Sequence, residues 1–327
     1  MNFITYPVNT KNPGSIIPII LGIQWGCRSP NNTFTVFTDR LSRKRNQVFD
    51  LEGWLDINEL HFPDILQESK LLFSSFPKKF KSQINIRIHE GSWYRCPCGK
   101  VEFLDEAILS ESYRKHLKLI DQHNQCVLCS GEVVLSQGRG LVVTLPEPDP
   151  RFIGLADIKE KVFPASVYQE VQYWINFFAG RQILLSRKRE TPYRLIYGQE
   201  EFYIDPTLFD ILSTFISGNT TDACIVTGRD AIIAYALGSL FFDKSPGHIF
   251  LPRFEIDDWN EIISQGIDEL TILLVGTLNW HVNKVRPNLS DLKFIKKHKP
   301  ALKEKLNQMV VSTIGDASQF SRSLYML

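Results

Sequence analysis

Asp222-Ala223-Cys224-Ile225-Val226-Thr227-Gly228 runs without a break into Arg229-Asp230-Ala231-Ile232-Ile233-Ala234-Tyr235-Ala236-Leu237-Gly238-Ser239-Leu240-Phe241. The first stretch is a continuous apolar run of strand length that ends in a glycine turn. The second is apolar nearly all round and predicts a helix over Arg229 to Phe241. A strand without a wet face, followed at once by a helix without one, belongs in a parallel α/β sheet, where helices cover both faces of the strands. His248-Ile249-Phe250-Leu251 reads as the next strand, completing a strand-helix-strand unit. Upstream, Val162 to Phe178 is an aromatic-rich helix candidate and Gln182 to Ser186 a strand. Downstream, Trp259 to Ile267 and the chain from Leu289 onward have helical spacing.

Towards the amino terminus, Ile84-Asn85-Ile86-Arg87-Ile88 alternates strictly and predicts a strand with one wet face. Thr33 to Thr38 alternates in the same way after the Asn31-Asn32 turn. Ile16 to Cys27 is ambiguous between strand and buried helix. Asp64 to Phe73 and Glu106 to Ile120 carry helical spacing. Leu145-Pro146-Glu147-Pro148-Asp149-Pro150 places three prolines in one short stretch, the composition of an extended linker. The expected organisation is a Rossmann-like parallel sheet core, interrupted by a small zinc-knuckle insertion and followed by a helical C-terminal region. The divisions fall at 1–89 for the first half of the core, 90–140 for the insertion, 141–283 for the second half and 284–327 for a basic helical segment.

Composition narrows the function classes. The 327 residues are 43% apolar and 22% charged, enough for a sizeable core and incompatible with global disorder. Lys+Arg 37 against Asp+Glu 36 leaves a net charge of +1, so any hold on nucleic acid or an anionic membrane must come from a local patch. The longest apolar runs fall short of the roughly 20 residues of a membrane span. The opening Met1-Asn2-Phe3-Ile4-Thr5 lacks the features of a secretory signal. The expected compartment is the cytoplasm, where six cysteines stay reduced.

Four of those cysteines form two pairs, Cys96-Pro97-Cys98 and Cys126-Val127-Leu128-Cys129. Each pair can present two thiolates from one tight turn, with Gly99 and Gly131 supplying backbone freedom. Four thiolates at about 2.3 Å make a closed tetrahedral zinc site, which is structural because no position stays open for water or substrate. The first pair is C-x-C rather than C-x-x-C, and 27 residues separate the pairs. Three other readings stay open: His116 or His123 in place of a cysteine, thiols without a metal, and a redox pair.

Basic residues cluster twice in the same pentamer, Leu41-Ser42-Arg43-Lys44-Arg45 and Leu185-Ser186-Arg187-Lys188-Arg189. A serine followed by three bases suits a loop that grips phosphate oxygens, and a solvated charged loop is the competing reading. From Lys284 the chain holds nine bases against three acids. Among them Lys293, Lys296 and Lys297 could lie along an RNA backbone or simply form an exposed face. Thr227, Gly228 and the following helix terminus could hold a phosphate, although a glycine serving only a tight connection explains the same residues. The seven histidines are scattered. His248 fits a satisfied core histidine better than a catalytic one, and Asp257-Asp258 a helix cap better than paired catalytic carboxylates.

Thr5-Tyr6-Pro7-Val8-Asn9 followed by Pro13-Gly14-Ser15-Ile16-Ile17, then the cysteine-paired knuckle, then Leu185-Ser186-Arg187-Lys188-Arg189, then Ile225-Val226-Thr227-Gly228-Arg229-Asp230 form an ordered series. In that order the chain resembles a shortened class I aminoacyl-tRNA synthetase of the methionyl, leucyl and isoleucyl group, over roughly residues 1 to 280. These pieces look like the family's opening strand and HIGH turn, its zinc-bearing connective insertion, its S-R-x-R segment and its G-K-D strand-turn-helix. Asp268-Glu269-Leu270 is similar to the start of the helix after its core. The resemblance implies a nucleotide pocket formed by Gly14, Ser15, Thr227, Gly228, Arg229 and Asp230, with ATP or an aminoacyl-adenylate-like ligand. It also implies tRNA or another RNA as partner, met by Arg187, Lys188, Arg189, Lys293, Lys296 and Lys297.

The sequence departs from the family where the chemistry is done. No histidine precedes His61, and no lysine lies between Pro252 and Asn283, where the KMSKS loop is expected. Ser186-Arg187-Lys188-Arg189 could itself serve as a lysine-type loop. On the direct alignment both groups that stabilise charge in the adenylation transition state are missing, each worth factors of about 10² to 10³. The expectation is a synthetase-derived protein that keeps a tRNA, aminoacyl or nucleotide pocket in an accessory, regulatory or altered-chemistry role. The alternatives are a zinc-stabilised nucleic-acid-binding protein unrelated to synthetases and a scaffold that docks a partner on the helix around Trp174.

Overall fold

The computed structural model describes residues 2–5, 33–36, 80, 82–96, 101–103, 107–109, 125–126, 129–147, 158–159, 161–187, 194–218, 223–254, 264, 266, 271, 284–286, 288–298 and 300–301. Several expectations lie outside them: the segments Ile16 to Cys27 and Asp64 to Phe73, residues Gly14, Ser15, Cys98, Lys188, Arg189, His116 and His123, the Asp257-Asp258 pair, and most of Trp259 to Ile267.

The apolar run quoted first is strand β12 (Ala223–Gly228), and it sits in the middle of a parallel sheet. Its neighbours are β1 (Asn2–Thr5) on one side and β13 (Gly247–Leu251) on the other. Beyond them lie β2 (Thr33–Val36) and β7 (Val162–Phe163), so the order is β2-β1-β12-β13-β7, with every pairing parallel. The chain therefore leaves β1 towards one edge and later returns to the other flank of the same strand. That reversal is the topological switch point of a doubly wound sheet.

Helices close over this sheet. Helix α1 (Tyr168–Phe178) and helix α2 (Pro206–Gly218) both pack against α3 (Ile232–Phe241), and α2 also touches β12 and β1. Asp205 caps α2: its Oδ1 accepts from the Leu208 N–H at 3.1 Å and Pro206 takes the first helical position. Gly238 of α3 lets Phe215 of α2 approach closely, since a Cβ there would stand 2.3 Å from the ring. As expected from its composition, α3 is buried nearly all round.

A second sheet is built on a long hairpin of β3 (Asn85–Arg95) and β6 (Val134–Thr144). These two pair in register from Asn85↔Thr144 to Arg95↔Val134. β4 (Val101–Phe103) pairs antiparallel with the far end of β3, and β8 (Gln182–Leu184) pairs with the base of β6, followed by β5 (Ile108–Leu109). The order is β4-β3-β6-β8-β5. Alternation divides β6 between two cores. Leu141, Val143 and Leu145 enter the main cluster with Val171, Phe178, Phe215, Ile225 and Phe250, whereas Val142 faces Trp93, Leu184 and Ile108. Ile84, Ile86 and Ile88 pack against the main cluster, as their alternation predicted. A third, small sheet joins β9 (Ser186–Arg187), β11 (Glu200–Ile204) and β10 (Arg194–Tyr197). A two-stranded pair, β14 (Arg253–Phe254) and β15 (Lys284–Val285), precedes a helix over 289–298.

Several sequence-based expectations are corrected. Strand β3 is far longer than Ile84–Ile88, because β6 supplies a full-length partner that local alternation cannot announce. Ile108 and Leu109, expected in a helix, form a strand paired with β8. Val162 and Phe163 form the edge strand β7, and the helix begins at Tyr168. The proline-rich stretch is no free linker at its start. Leu145 is buried, its N–H donates to the Arg181 carbonyl at 3.0 Å, and the Pro146 carbonyl accepts from the Gly180 N–H at 3.1 Å.

Candidate functional site

Pairing between β1 and β12 runs from Asn2↔Ala223 to Ile4↔Ile225, and β12 then continues to Gly228 beside β13 alone. The carboxyl ends of β1 and β12 thus lie next to each other at the switch point. In open α/β sheets this is the place where ligands bind, because the loops part in opposite directions and leave a crevice. Gly228, half-buried and extended (φ −73, ψ 162), ends the strand. A 3₁₀ turn, Arg229–Ala231, leads into α3. Gly228 carries no side chain to hinder close approach to its own backbone.

The residues around Gly228 divide their tasks. The Thr227 hydroxyl is turned inward, 2.7 Å from Nε2 of His248, and donates to the Gly228 carbonyl. His248 is buried at 1% exposure, stacks on Phe250 at 3.9 Å between ring centroids, and meets the edge of Tyr235 at 4.7 Å. Its Nδ1 has no hydrogen-bond partner among the described residues, and burial holds its pKa well below the usual imidazole range. His248 is therefore a neutral core residue. Arg229 is the charge at the strand's end. Partial burial lowers its pKa and the carboxylate of Glu170, in the first turn of α1, opposes that shift.

The cysteine site stands at the far end of the β3–β6 hairpin. Cys96 follows the last paired residue of β3, and Cys126 and Cys129 precede β6, so the register of the hairpin itself delivers both halves of the cluster. The Sγ atoms of Cys96, Cys126 and Cys129 all lie within 4.8 Å of one another, with Cys96 and Cys129 3.1 Å apart. Thiolates about 2.3 Å from a common tetrahedral ion sit at mutual distances within that limit, so three soft donors here can hold a metal ion. Cys96 and Cys126 are buried and Cys129 is exposed. The second turn is closed by Ser130 N–H to Cys126 carbonyl at 2.7 Å, Cys126 N–H to Gly131 carbonyl at 2.9 Å, and a Gln125↔Glu132 bridge. The left-handed residue is Ser130 (φ 54), not the Gly131 that the sequence suggested.

The two groups of candidate nucleic-acid-binding residues differ in placement. Arg187 donates from Nε to Asp205 Oδ2, tying β9 to the residue that caps α2. Ser186 is buried and its Oγ accepts from the Leu141 N–H at 2.7 Å. The start of the second pentamer is therefore a joint between β6, β9 and α2. Lys293 and Lys297 are exposed on the 289–298 helix, and Lys296 donates from Nζ to the Gly266 carbonyl at 2.6 Å. Sequence reasoning missed helix α2 and the Arg187–Asp205 pair. The signal was present in Asp205-Pro206, a cap followed by proline ahead of an apolar run.

No protein-family model matches the chain, and no curated protein matches it in sequence. Among solved structures it is similar to Mycobacterium tuberculosis methionyl-tRNA synthetase in complex with methionyl-adenylate. The TM-score is 0.55 at 13% identity, over 94% of this chain and 70% of that one. A second structure of that enzyme bound by methionyl-adenylate gives a TM-score of 0.55 at 12% identity, with the same coverage. Its apo form gives 0.56 at 14% identity, over 89% of this chain and 64% of that one. What is shared at these identities is the fold.

Proposed function

We propose that this chain is a class I synthetase-like protein that binds an adenylate-type ligand at the switch point of its parallel sheet and acts without ordinary amino-acid activation. The observation that carries the reading is the juxtaposition of the β1 and β12 carboxyl ends inside a sheet of synthetase-like fold. In this reading the Gly228 backbone admits the ligand's phosphate or ribose, Arg229 supplies positive charge, and Thr227 with His248 holds the strand end rigid. The pocket also includes Gly14, Ser15 and Asp230. ATP, or the aminoacyl-adenylate that similar structures hold, is the candidate ligand.

The loss of activation rests on residue chemistry. On the direct alignment, the absence of histidine before His61 and of lysine from Pro252 to Asn283 leaves no group of the usual type at either signature to neutralise the triphosphate. The protein is thus an accessory, regulatory or altered-chemistry relative of a synthetase, with tRNA or another RNA as partner and the cytoplasm as its compartment. Arg187, Lys188, Arg189, Lys293, Lys296 and Lys297 are its candidate nucleic-acid contacts. Among the described residues no helix is long and apolar enough to cross a membrane. Zinc held by Cys96, Cys98, Cys126 and Cys129 closes the hairpin tip as a structural site, within a chain organised as two core halves around residues 90–140. The fold likeness does not favour the rival reading of a nucleic-acid-binding protein unrelated to synthetases.

The test pairs two measurements on the full chain. Calorimetric titration with ATP, AMP and a hydrolysis-resistant aminoacyl-adenylate analogue is expected to show binding to at least one, weakened by Gly228→Val. ATP–pyrophosphate exchange across the twenty amino acids is expected to stay at background. Robust exchange with any amino acid refutes the lost activation, and absence of binding to all three probes refutes the pocket.

A further inference from the structure

The helix over 289–298 has a capped start: Asn288 Oδ1 accepts from the Asp291 N–H at 2.8 Å. Leu292 and Ile295 are buried, so its apolar face is already used, and Lys296 is tied to Gly266. The opposite face carries two parallel rows at i and i+4 spacing. One row is Lys293 and Lys297, about 6 Å apart along the axis. The other is Phe294 and His298, whose ring centroids are 4.6 Å apart. Phe294 is 63% exposed, and the helix's one acid, Asp291, stays in the first turn.

A large aromatic ring held in water beside two exposed cations has a specific complement. Its partner needs flat faces to stack and regularly spaced negative charge. We infer that this face binds single-stranded RNA, with a base stacked on the Phe294–His298 pair and the flanking phosphates on Lys293 and Lys297. Duplex RNA would meet the lysines without using the ring, because its bases are already stacked on one another. A membrane surface would require the apolar stripe, and Leu292 and Ile295 face the protein interior. The inference rests on the proposed RNA partnership and names its place and its chemistry. It fails separately from the switch-point reading, which is tested with adenylate ligands alone.

The experiment is fluorescence anisotropy of the full chain with a labelled oligouridine of about a dozen nucleotides, a length suited to a non-specific single-strand site. Phe294→Leu, which keeps an apolar side chain on an exposed position, is expected to weaken binding about tenfold with little change in salt dependence. Phe294→Trp is expected to retain it. The Lys293→Gln/Lys297→Gln pair is expected to weaken binding and lower the slope against log salt by roughly 1.4, about 0.7 for each single-strand phosphate no longer neutralised. Binding unchanged in Phe294→Leu, duplex RNA bound as tightly as the single strand, or no binding by the parent chain would each overturn the inference.

Discussion

Replacing Asp205 by alanine removes two interactions at one buried point. The first is the cap on α2, the 3.1 Å bond from the Leu208 N–H, worth about 1 kcal/mol. The second is the pairing with Arg187, whose side chain is 22% exposed against 6% for Asp205. A hydrogen bond to a charged group contributes about 1.5–3 kcal/mol, and the partly wet guanidinium brings that down to about 1–2. The expected total is therefore about 2–3 kcal/mol, and a chain of this size should melt about 5 °C lower. Asp205→Asn separates the parts, because the amide oxygen still accepts from Leu208 while the charge is lost. It should cost only about 1–2 kcal/mol. Urea titrations of Asp205→Ala, Arg187→Gln and the double variant complete a cycle whose coupling is expected near 1 kcal/mol or above. If Arg187→Gln costs less than about 0.5 kcal/mol and the effects add, Arg187 anchors nothing, and the second pentamer is free to act as a phosphate grip.

Other expectations follow from the same geometry. Gly238→Ala drives a methyl group into the buried Phe215 ring and should cost about 1–3 kcal/mol, partly recovered by adding Phe215→Leu; an unchanged urea midpoint would contradict the close α2–α3 approach. Metal analysis of the purified chain should find about one zinc equivalent, lost in Cys96→Ser and Cys129→Ser. Chelation should then raise hydrogen exchange in the distal halves of β3 and β6 while leaving the β6–β8 end protected. His248 is neutral in the folded protein and its pKa lies below the unfolded value near 6.5, so the unfolded chain binds the extra proton between the two. Stability should hold above about pH 7 and fall as pH drops below about 6.5, by up to roughly 1.4 kcal/mol per unit. His248→Phe should flatten that slope, and equal slopes in variant and parent would sink the assignment.

Much of the parallel core was legible because its signals are local. Val226 and its neighbours are apolar on both faces, and that pattern alone places the strand inside a covered sheet with its helix beside it. The cysteine pairs were legible for a similar reason, since thiols spaced within one turn can converge wherever that turn lies. Arg187 reads in the sequence as one of three consecutive bases, and its partner Asp205 stands eighteen residues away, beyond strands β10 and β11. No local pattern announces such a pairing. Phe294 reads as a core residue by type, and only its position relative to Leu292 and Ile295 leaves it in water.

The sequence by itself determined which segments could be strand or helix and which side chains could bind a metal, because backbone propensity and hydrophobic period act over a few residues. Tertiary structure alone decided the neighbours. Full-length pairing of β3 with β6 carries Cys96 to Cys126 and Cys129, and insertion of β12 beside β1 brings two distant strand ends side by side. Those outcomes depend on long-range hydrogen bonds and shared burial, which are settled only when the whole core closes.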